Sequence, residues 1–522
     1  MLKKRYFYNT FSAITKVAVN IKKRNVIKFI LIIILVISTV GIQNNNRSLG
    51  EELYQEAFDL EDQKSFSQAV SLYSQVLPIL IEEKNMKLAT ECSEAIQRLT
   101  IFEWNYPYTS EQIEDILQQD YPQATMEQIK SWISSEEMEH YVWDGEEHFF
   151  YDASHNLMFR HLELLQANNT VEQSYYNLVL DMNQIVQNES ECLWTQYYNA
   201  STYRGIHTIS IPRDELPDVG VYRIWFPVPI NSGSQTNVVI ESVIPDKWVK
   251  QPSSVNQDIG LLYMEIPMEE LKEDLFIQIE FTFTHYEQRF SVDPNNVGEY
   301  DKDSALYQNY TKSYGNTEIT SDIRTMAANI VGDETNPYLA ARKIYDYIIN
   351  NVDYSFMPHF IMWPWSSQTE STYVYENQRG DCGAQSIYFS ALCRSLGIPA
   401  RTTGGWQLFK DEFNGHFWAE FYLPNYGWIP VDTSCAQLAL YPIDLTDEQR
   451  QTFIDFYFGN QDSMRCVVQS DIDIPLIPQA NGLVLLPMAI QTPVVEYSLP
   501  TGEIPGDVFL QHWTMQCEKI SS

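Results

Sequence analysis

Residues 380–400 read GDCGAQSIYFSALCRSLGIPA, and this stretch decides how the rest of the chain is interpreted. Apolar residues recur at steps of three and four from Ala384 to Leu396, a spacing that predicts an amphipathic helix. Gly397 and the proline that follows it shortly afterwards predict where that helix ends. A cysteine, Cys382, stands at the start of the helix, where a plain capping residue would be ordinary. Its position suggests thiol chemistry, provided that the chain supplies a base.

The chain supplies a candidate base in GHFWAEFYLPNYGWIPVDTS, residues 415–434. The alternation of this segment predicts two strands joined by a turn at residues 424–427. The second strand should therefore return antiparallel to the first, which can set His416 beside Asp432. A helix packed across this hairpin can direct its first turn, and Cys382 with it, at the imidazole.

The reactivity of a cysteine depends on its thiolate form, and a free thiol has a pKa near 8.5. A helix N-terminus and a neighbouring imidazolium lower thiol pKa values to about 3.5–7.5. We therefore expect the pKa of Cys382 to be lowered. Asp432 would hold the imidazole tautomer and stabilise its charged form, as the third member of a triad does.

A cysteine that opens a helix, followed by H-x-W-x-E, G-W and D-x-[ST], resembles the transglutaminase-like core. That superfamily includes animal transglutaminases, peptide N-glycanases and many microbial cysteine hydrolases. The resemblance covers roughly residues 320–440 and implies a papain-like α+β fold. It also implies that Cys382 is the nucleophile, His416 the base and Asp432 the orienting carboxylate.

Three tryptophans are candidates for substrate contact. Trp363 and Trp365 form a WPW motif shortly before the cysteine, and Trp418 lies two residues after His416 on the same strand face. The motif could wall a substrate channel, whereas aromatic packing is the alternative for such side chains.

The reaction implied by this resemblance is attack of a thiolate on an amide carbonyl, which gives a thioester. Release by water makes a protease, amidase or deamidase, which we favour because water needs no second binding site. Release by an amine makes a protein cross-linker. A non-catalytic scaffold that binds a partner through its helical region is the third alternative. We expect a protein, peptide or cell-envelope polymer as substrate, with no metal and no cofactor.

The N-terminus differs sharply in charge from the rest of the chain. The whole chain carries a net charge of −35, which argues against nucleic acid as a partner. Residues 1–25 form a basic segment that we expect in the cytoplasm, and residues 26–43 are expected to be a transmembrane anchor or a signal peptide. Both alternatives place the bulk of the chain outside the cytoplasm, at the cell membrane or secreted if the segment is cleaved.

The remaining sequence predicts a multidomain α+β chain. Helical periodicity covers residues 50–190, where one hairpin resembles a tetratricopeptide-type repeat and simple packing of two amphipathic helices is the alternative. Alternating segments predict a β-sandwich-like module over residues 200–290. The catalytic core follows at 320–440, and a β-rich extension is expected at 441–522. Seven scattered cysteines without a CxxC pair indicate neither a zinc ribbon nor a disulfide framework.

Overall fold

The computed structural model describes residues 47–521 apart from 136, 168, 188–195, 252, 410–411 and 486–488. The predicted basic segment and anchor, residues 1–43, lie outside the described residues. Within the described part, no helix combines the length and the apolar character needed to cross a bilayer.

The N-terminal region consists mainly of helices, in agreement with its periodicity. They are α1 (Leu49–Asp62), α2 (Phe66–Glu82), α3 (Met86–Asn105), α4 (Ser110–Asp120), α5 (Met126–Ser134), α6 (Ala153–Arg160), α7 (Leu162–Ala167) and α8 (Asn169–Gln187). Helix α1 packs against α2, and α2 packs against α3. Small and aromatic residues of α1 and α2, such as Ala57, Ala69 and Tyr73, are fully buried between them. Capping boxes at Thr109 and Thr125 fix the starts of α4 and α5.

A small antiparallel sheet interrupts these helices, which the sequence analysis did not predict. Its strands are β1 (Tyr108–Thr109), β2 (His140–Trp143) and β3 (Glu146–Phe149), in the order β1-β3-β2. The strands are short and their aromatic side chains pack into the helical core, so local alternation in the sequence is too brief to mark them.

Two sheets packed face to face follow the helices. Their strands in this part of the chain are β4 (Tyr197–Ile211), β5 (Val221–Pro227), β6 (Gln235–Ile244), β7 (Val249–Gln251), β8 (Leu261–Pro267) and β9 (Leu275–Arg289). Strands β4, β6 and β9 lie in one sheet, and β5, β7 and β8 lie in the other. Apolar side chains of both sheets, including Ile224, Met264 and Ile277, share one core. The alternating sequence of β9 corresponds to its alternating burial.

The core that carries the candidate site mixes helices with a sheet. Its elements are α9 (Ala305–Tyr310), α10 (Ser321–Val331), α11 (Pro337–Asn351), β10 (Asp353–Tyr354), α12 (Glu370–Asn377), β11 (Arg379–Gly380), α13 (Cys382–Ser395), β12 (Ala400–Phe409), β13 (Glu412–Leu423), β14 (Gly427–Val431), α14 (Thr433–Gln437) and α15 (Asp447–Phe456). Strands β12, β13 and β14 are antiparallel, as the hairpin prediction requires. The structure is therefore a mixed α/β multidomain fold.

Helix α13 occupies the centre of this core. Every residue from Gly383 to Arg394 is buried, so this part of the helix is enclosed on all sides, whereas the amphipathic periodicity predicts burial of one face. The reason is that α10, α11, α12 and α14 cover the face opposite the sheet. Two of its buried polar residues find partners nearby: Ser390 bonds Thr402 at 3.1 Å, and Arg394 donates to the Ala400 carbonyl at 2.7 Å.

The last eighty residues are interwoven with the earlier modules. Their strands are β15 (Asn460–Gln461), β16 (Arg465–Gln469), β17 (Val494–Tyr497) and β18 (Trp513–Ser521), and the short helix α16 covers Gly506–Gln511. Strand β16 joins the edge of the core sheet beside β12, while β15, β17 and β18 pair with β9, β5 and β4 respectively. Because these hydrogen bonds reach both sheets and the core, the tail ties the core to the sandwich.

Candidate active site

Cys382 is the first residue of α13, as the sequence predicts. The preceding residue, Asp381, is the N-cap and accepts a hydrogen bond from the Ala384 N–H at 3.0 Å. The Cys382 side chain is half-buried, whereas residues 383–394 of the helix are buried. Of all the residues from 382 to 394, only the candidate nucleophile therefore keeps access to the outside.

His416 and Asp432 meet at the end of the predicted hairpin. Strand β13 carries His416, and Asp432 follows the last residue of β14, where it caps α14 by accepting the Cys435 N–H at 3.0 Å. The Nε2 atom of His416 lies 2.8 Å from Oδ2 of Asp432, and both side chains are buried. This bond uses Nε2, which leaves Nδ1 as the ring nitrogen for exchanging a proton with a thiol.

Arg465 from the tail strand β16 completes the histidine–carboxylate pair. Its guanidinium is fully buried and donates to Oδ2 of Asp432 at 2.8 Å and to Oδ2 of Asp462, also at 2.8 Å. Although burial opposes the shift, His416 and Arg465 hold the pKa of Asp432 well below its usual range. Asp432 is thus a fixed anion beside the imidazole. Arg465 was not predicted from the sequence, because only the pairing of β16 with β12 brings it there.

The environment of the thiol differs from the prediction. Cys382 packs against an apolar cluster of Ile387, Phe417, Ile472 and Ala489. Burial, followed by the charge of Asp381, raises the pKa of the Cys382 thiol well above its usual value, although backbone N–H groups of Phe417 and Gly383 act in the opposite direction. The predicted lowering of this pKa is therefore wrong for the resting structure, since desolvation and the adjacent carboxylate outweigh the helix terminus.

The apolar cluster also brings Cys382 close to β13, because Phe417 belongs to it. Phe417 directly follows His416 on β13, and its ring lies 3.3 Å from the position that a Cβ on Gly383 would occupy. The start of α13 therefore sits against the strand segment that carries the imidazole. A side chain at residue 383 would press on this ring, which explains a glycine directly after the cysteine.

The tail also forms part of the wall around the thiol. Ile472 and Ala489 belong to the apolar cluster against Cys382. Gln491 donates through its amide to the carbonyl oxygens of Gly405 at 2.9 Å and His416 at 3.2 Å, which holds β12 and β13 at the site. The sequence analysis gave residues 441–522 no role in the site, and no local pattern in them could have indicated one.

A second histidine, His359, lies at the N-terminus of α13, and its side chain is 20% exposed. The Nε2 atom of His359 is 2.6 Å from Oδ2 of Asp381, and its Nδ1 atom is 2.7 Å from Oε1 of Glu370. Although burial opposes it, the two carboxylates raise the pKa of His359 well above its usual value. The ring is therefore an imidazolium at neutral pH. The sequence analysis did not identify His359, although an aspartate directly before a helix is a recognisable N-cap signal.

The helical region is joined to the chain just upstream of Cys382 by a buried charge cluster. Glu139 is 6% exposed and forms ion pairs with Arg160 of α6 and Arg379 of β11, the latter at 3.2 Å. Ser355 also donates to Glu139, at 3.0 Å. Because Arg379 lies two residues before Asp381, the helical region holds the strand that leads into α13.

Cys435 is the second thiol near the imidazole. Its sulfur lies 3.8 Å from Nε2 of His416, and the Arg465 guanidinium donates to it at 3.4 Å. The side chain is only 2% exposed, and burial followed by the Asp432 charge raises its thiol pKa well above the usual value. A buried, protonated thiol on this side of the ring is poorly placed to attack a substrate.

His416, Asp432 and Cys435 also form a group whose possible metal-ligating atoms lie within 4.8 Å of one another. Arg465 donates to two of the three residues, so a divalent cation here would lie against a guanidinium. Cys435 would also have to lose a proton that its surroundings retain. These charges favour a histidine–carboxylate pair over a metal centre.

The three predicted substrate-binding tryptophans have different surroundings. Trp363 is 37% exposed, whereas Trp365 packs into the core of the helical region and is 6% exposed. Trp418 is fully buried, with the Arg465 guanidinium 5.6 Å from its ring centre. Substrate contact remains a prediction that solvent access favours for Trp363 alone, because packing accounts for the positions of the other two.

Comparisons with known proteins agree with the arrangement of this core. The sequence model of the Transglutaminase-like superfamily matches residues 324–433. An uncharacterised protein of Haemophilus influenzae is 25% identical over 224 residues, which are 38% of this chain and 58% of that protein. A protein-glutamine gamma-glutamyltransferase of Pseudomonas aeruginosa is 29% identical over 70 residues, which are 12% of this chain and 10% of that protein. The chain thus spans little more than half of the first relative and a small part of the second.

Two solved structures show a partial likeness. A candidate cysteine protease from Cytophaga hutchinsonii aligns with a TM-score of 0.38 and 16% identity, over 62% of this chain and 93% of the other. The periplasmic domain of TgpA from Pseudomonas aeruginosa aligns with a TM-score of 0.24 and 12% identity, over 49% of this chain and 92% of the other.

Proposed function

Residues 324–433 belong to the transglutaminase-like superfamily, and from this premise we propose that the chain is a cysteine enzyme acting on amide bonds. A fold of this kind suggests a hydrolase or an acyltransferase. Cys382 is the nucleophile of the proposed reaction, His416 the base and Asp432 the carboxylate that orients the base. The observation that carries the proposal is the buried His416–Asp432–Arg465 chain beside Phe417, which belongs to the apolar cluster packed against Cys382.

The first step starts from a neutral thiol, because the surroundings of Cys382 retain its proton. The sulfur attacks the amide carbonyl carbon while His416 takes the thiol proton, and the carbonyl electron pair moves to oxygen. The fixed charge of Asp432 stabilises the imidazolium that forms. Collapse of the tetrahedral intermediate breaks the C–N bond, and the imidazolium gives its proton to the departing amine. The product is a thioester on Cys382.

The acyl group then passes to water or to a second amine. We favour water, because hydrolysis requires no additional binding site and returns the free thiol with a carboxylic acid. Transfer to an amine is the second candidate, and the similarity to the glutamyltransferase of Pseudomonas aeruginosa supports it. His416 removes a proton from either acceptor, so both outcomes use the same residues.

Replacing the two thiols near His416 tests the proposal. Cys382→Ala should lower turnover of peptide and glutamine amides by roughly 10⁴-fold or more and leave folding nearly intact. Cys435→Ser is the matched control, since this thiol also lies beside His416 but is shut off from solvent. It should retain most of the activity. Equal losses in the two variants, or wild-type turnover by Cys382→Ala, would contradict the assignment.

The fate of the acyl group is measured separately. The full-length chain is incubated with a glutamine-containing peptide, with and without a labelled primary amine, and the products are resolved by mass spectrometry. Hydrolysis gives glutamate and ammonia at a rate that the amine does not change. Amine incorporation in preference to glutamate would instead identify an acyltransferase. Absence of both, with no reaction on cell-envelope polymers, would favour the non-catalytic scaffold.

The location of the enzyme is a further part of the proposal. Residues 1–25 carry basic side chains and no acidic ones, and an apolar segment follows at 26–43. This order supports an anchor, with the catalytic core outside the cytoplasm, where it would meet protein or cell-envelope substrates. Protease added to intact cells should digest the core of the full-length chain, and protection of the core would contradict the location.

A further inference from the structure

His359 connects the nucleophile helix to a buried carboxylate on a neighbouring helix. Its ring lies between Asp381, the N-cap of α13, and Glu370, the first residue of α12, with nitrogen–oxygen distances of 2.6 and 2.7 Å. Both ring nitrogens therefore face carboxylate oxygens. An ionised carboxylate can only accept a hydrogen bond, so both nitrogens must donate, and this requires the imidazolium form.

The Asp381 carboxylate has two opposing effects on the site. It satisfies a backbone N–H of the first turn, which stabilises the start of α13. It also places a negative charge directly beside the sulfur that must become a thiolate. A negative charge near a thiol disfavours its ionisation, so the cap works against the nucleophile unless a cation offsets it.

We propose that His359 is a positioning residue, which clamps the Asp381 carboxylate against the first turn of α13 and shields the Cys382 sulfur from its negative charge. The inference rests on the proposed function, because it matters only where the Cys382 sulfur gives up its proton during the reaction. His359 touches neither the substrate nor the sulfur and acts through Asp381. Its fixed position comes from Glu370, whose side chain is fully buried.

Other titratable groups face the two carboxylates. Tyr151 and Tyr354 act on the Asp381 side, and Tyr373 and Asp473 act on the Glu370 side. Burial raises the pKa of each tyrosine, and it raises the pKa of Asp473 to about 7. None of these four groups carries a positive charge. The cation that lies between Asp381 and Glu370 is therefore His359.

The test measures the thiol directly and does not depend on a substrate. The full-length chain is alkylated with iodoacetamide between about pH 6 and 10, and mass spectrometry follows the Cys382 peptide, with the buried Cys393 peptide as an internal reference. The alkylation rate follows the thiolate fraction, so it reports the acidity of this one sulfur. Failure of amide turnover would refute the proposed function and leave this measurement valid.

Three variants form a double-mutant cycle. His359→Gln should slow alkylation of Cys382 about tenfold at neutral pH and move its pH profile upwards. Asp381→Asn should speed alkylation beyond the wild-type rate, since asparagine still caps a helix but has no charge. If His359 acts through Asp381, the combined variant H359Q/D381N should match Asp381→Asn.

Folding is checked by circular dichroism and thermal unfolding, because His359→Gln leaves Glu370 as a buried, unpaired carboxylate. If that variant does not fold, H359Q/E370Q removes the unpaired charge, keeps Asp381 uncompensated and should show the same slow alkylation. An unchanged Cys382 profile in folded His359→Gln or H359Q/E370Q would overturn the proposal. An equal slowing by H359Q in the Asp381→Asn background would overturn it as well.

Discussion

The core contains two histidines whose surroundings differ in one decisive respect. His416 bonds one carboxylate, Asp432, through Nε2, and that carboxylate is itself neutralised by Arg465. His359 bonds a carboxylate through each of its nitrogens, Asp381 and Glu370. The first ring keeps a nitrogen that can take up a proton and return it. The second ring has both nitrogens occupied as donors and can serve only as a fixed positive charge.

This difference shows that a histidine beside a carboxylate is not by itself evidence of a base. The number of anions around the ring, and whether another cation already compensates them, determine whether the ring can cycle between protonation states. One arrangement suits proton transfer and the other suits positioning, although both rings lie near the start of the same helix, α13.

The largest effect should separate the two histidines. His416→Ala should lower turnover by roughly 10⁴-fold, as loss of the base does in other triads, whereas His359→Gln should lower it only about tenfold. Steady-state kinetics on an amide substrate measure both. Similar losses in the two folded variants would remove the distinction between a base and a positioning residue.

Asp432→Asn should have a smaller effect than loss of the nucleophile. The amide can still orient the ring but cannot stabilise its charge, so we expect a kcat loss smaller by roughly one to two orders of magnitude than that of Cys382→Ala. KM should change little, since Asp432 is buried and is bonded to His416 and Arg465. A loss confined to KM would contradict its role as the partner of His416.

Removing Arg465 tests the other end of the His416 pair. Arg465→Met leaves Asp432 and Asp462 buried without their shared cation, so the free energy of unfolding should fall by about 3–5 kcal/mol, as measured by chemical denaturation. Lys87→Met is the control, because the Lys87 side chain is 89% exposed in its pair with Glu91. The control should leave the denaturation midpoint unchanged. An equally small effect at Arg465 would mean that Asp432 needs no compensating cation.

The smallest effect concerns pH. The pKa of His359 is higher in the folded chain than in the unfolded chain, so its stabilisation is fully present below about pH 6.5 and is lost as pH rises through the folded value. The free energy of unfolding should therefore decline above about pH 7.5, by at most about 1.4 kcal/mol per pH unit, and less steeply in H359Q/E370Q. Burial raises the pKa of Asp473 to about 7, so this group changes the free energy of unfolding mainly below this pH range. Parallel slopes in the two proteins would contradict the imidazolium assignment.

The sequence predicted the local elements around the site well. A helix start at Cys382, its end near Gly397 and the antiparallel hairpin that carries His416 are all present. These features follow from short-range rules: apolar periodicity, glycine in a left-handed turn and strand alternation around a turn. The start of the helix at Cys382 and the hairpin that carries His416 were therefore predictable. The close approach of His416 to Asp432 followed from the hairpin.

The groups that set the charge of the site were not predictable in the same way. Arg465, Gln491 and Ile472 come from the tail, and Glu139 comes from the helical region some 240 positions before Cys382. No local pattern in those segments refers to the site. The thiol pKa was predicted in the wrong direction for the same reason, since burial and compensation by neighbours are properties of the packed core.

Local sequence specifies which residues open the helix and occupy the hairpin, because hydrogen bonds and side-chain periodicity act within a few residues. Which histidine keeps a usable nitrogen, which carboxylate is neutralised and how strongly the thiol holds its proton all depend on the folded chain. Those outcomes depend on charges and on water exclusion over several ångströms, between segments that the chain separates by dozens to hundreds of residues.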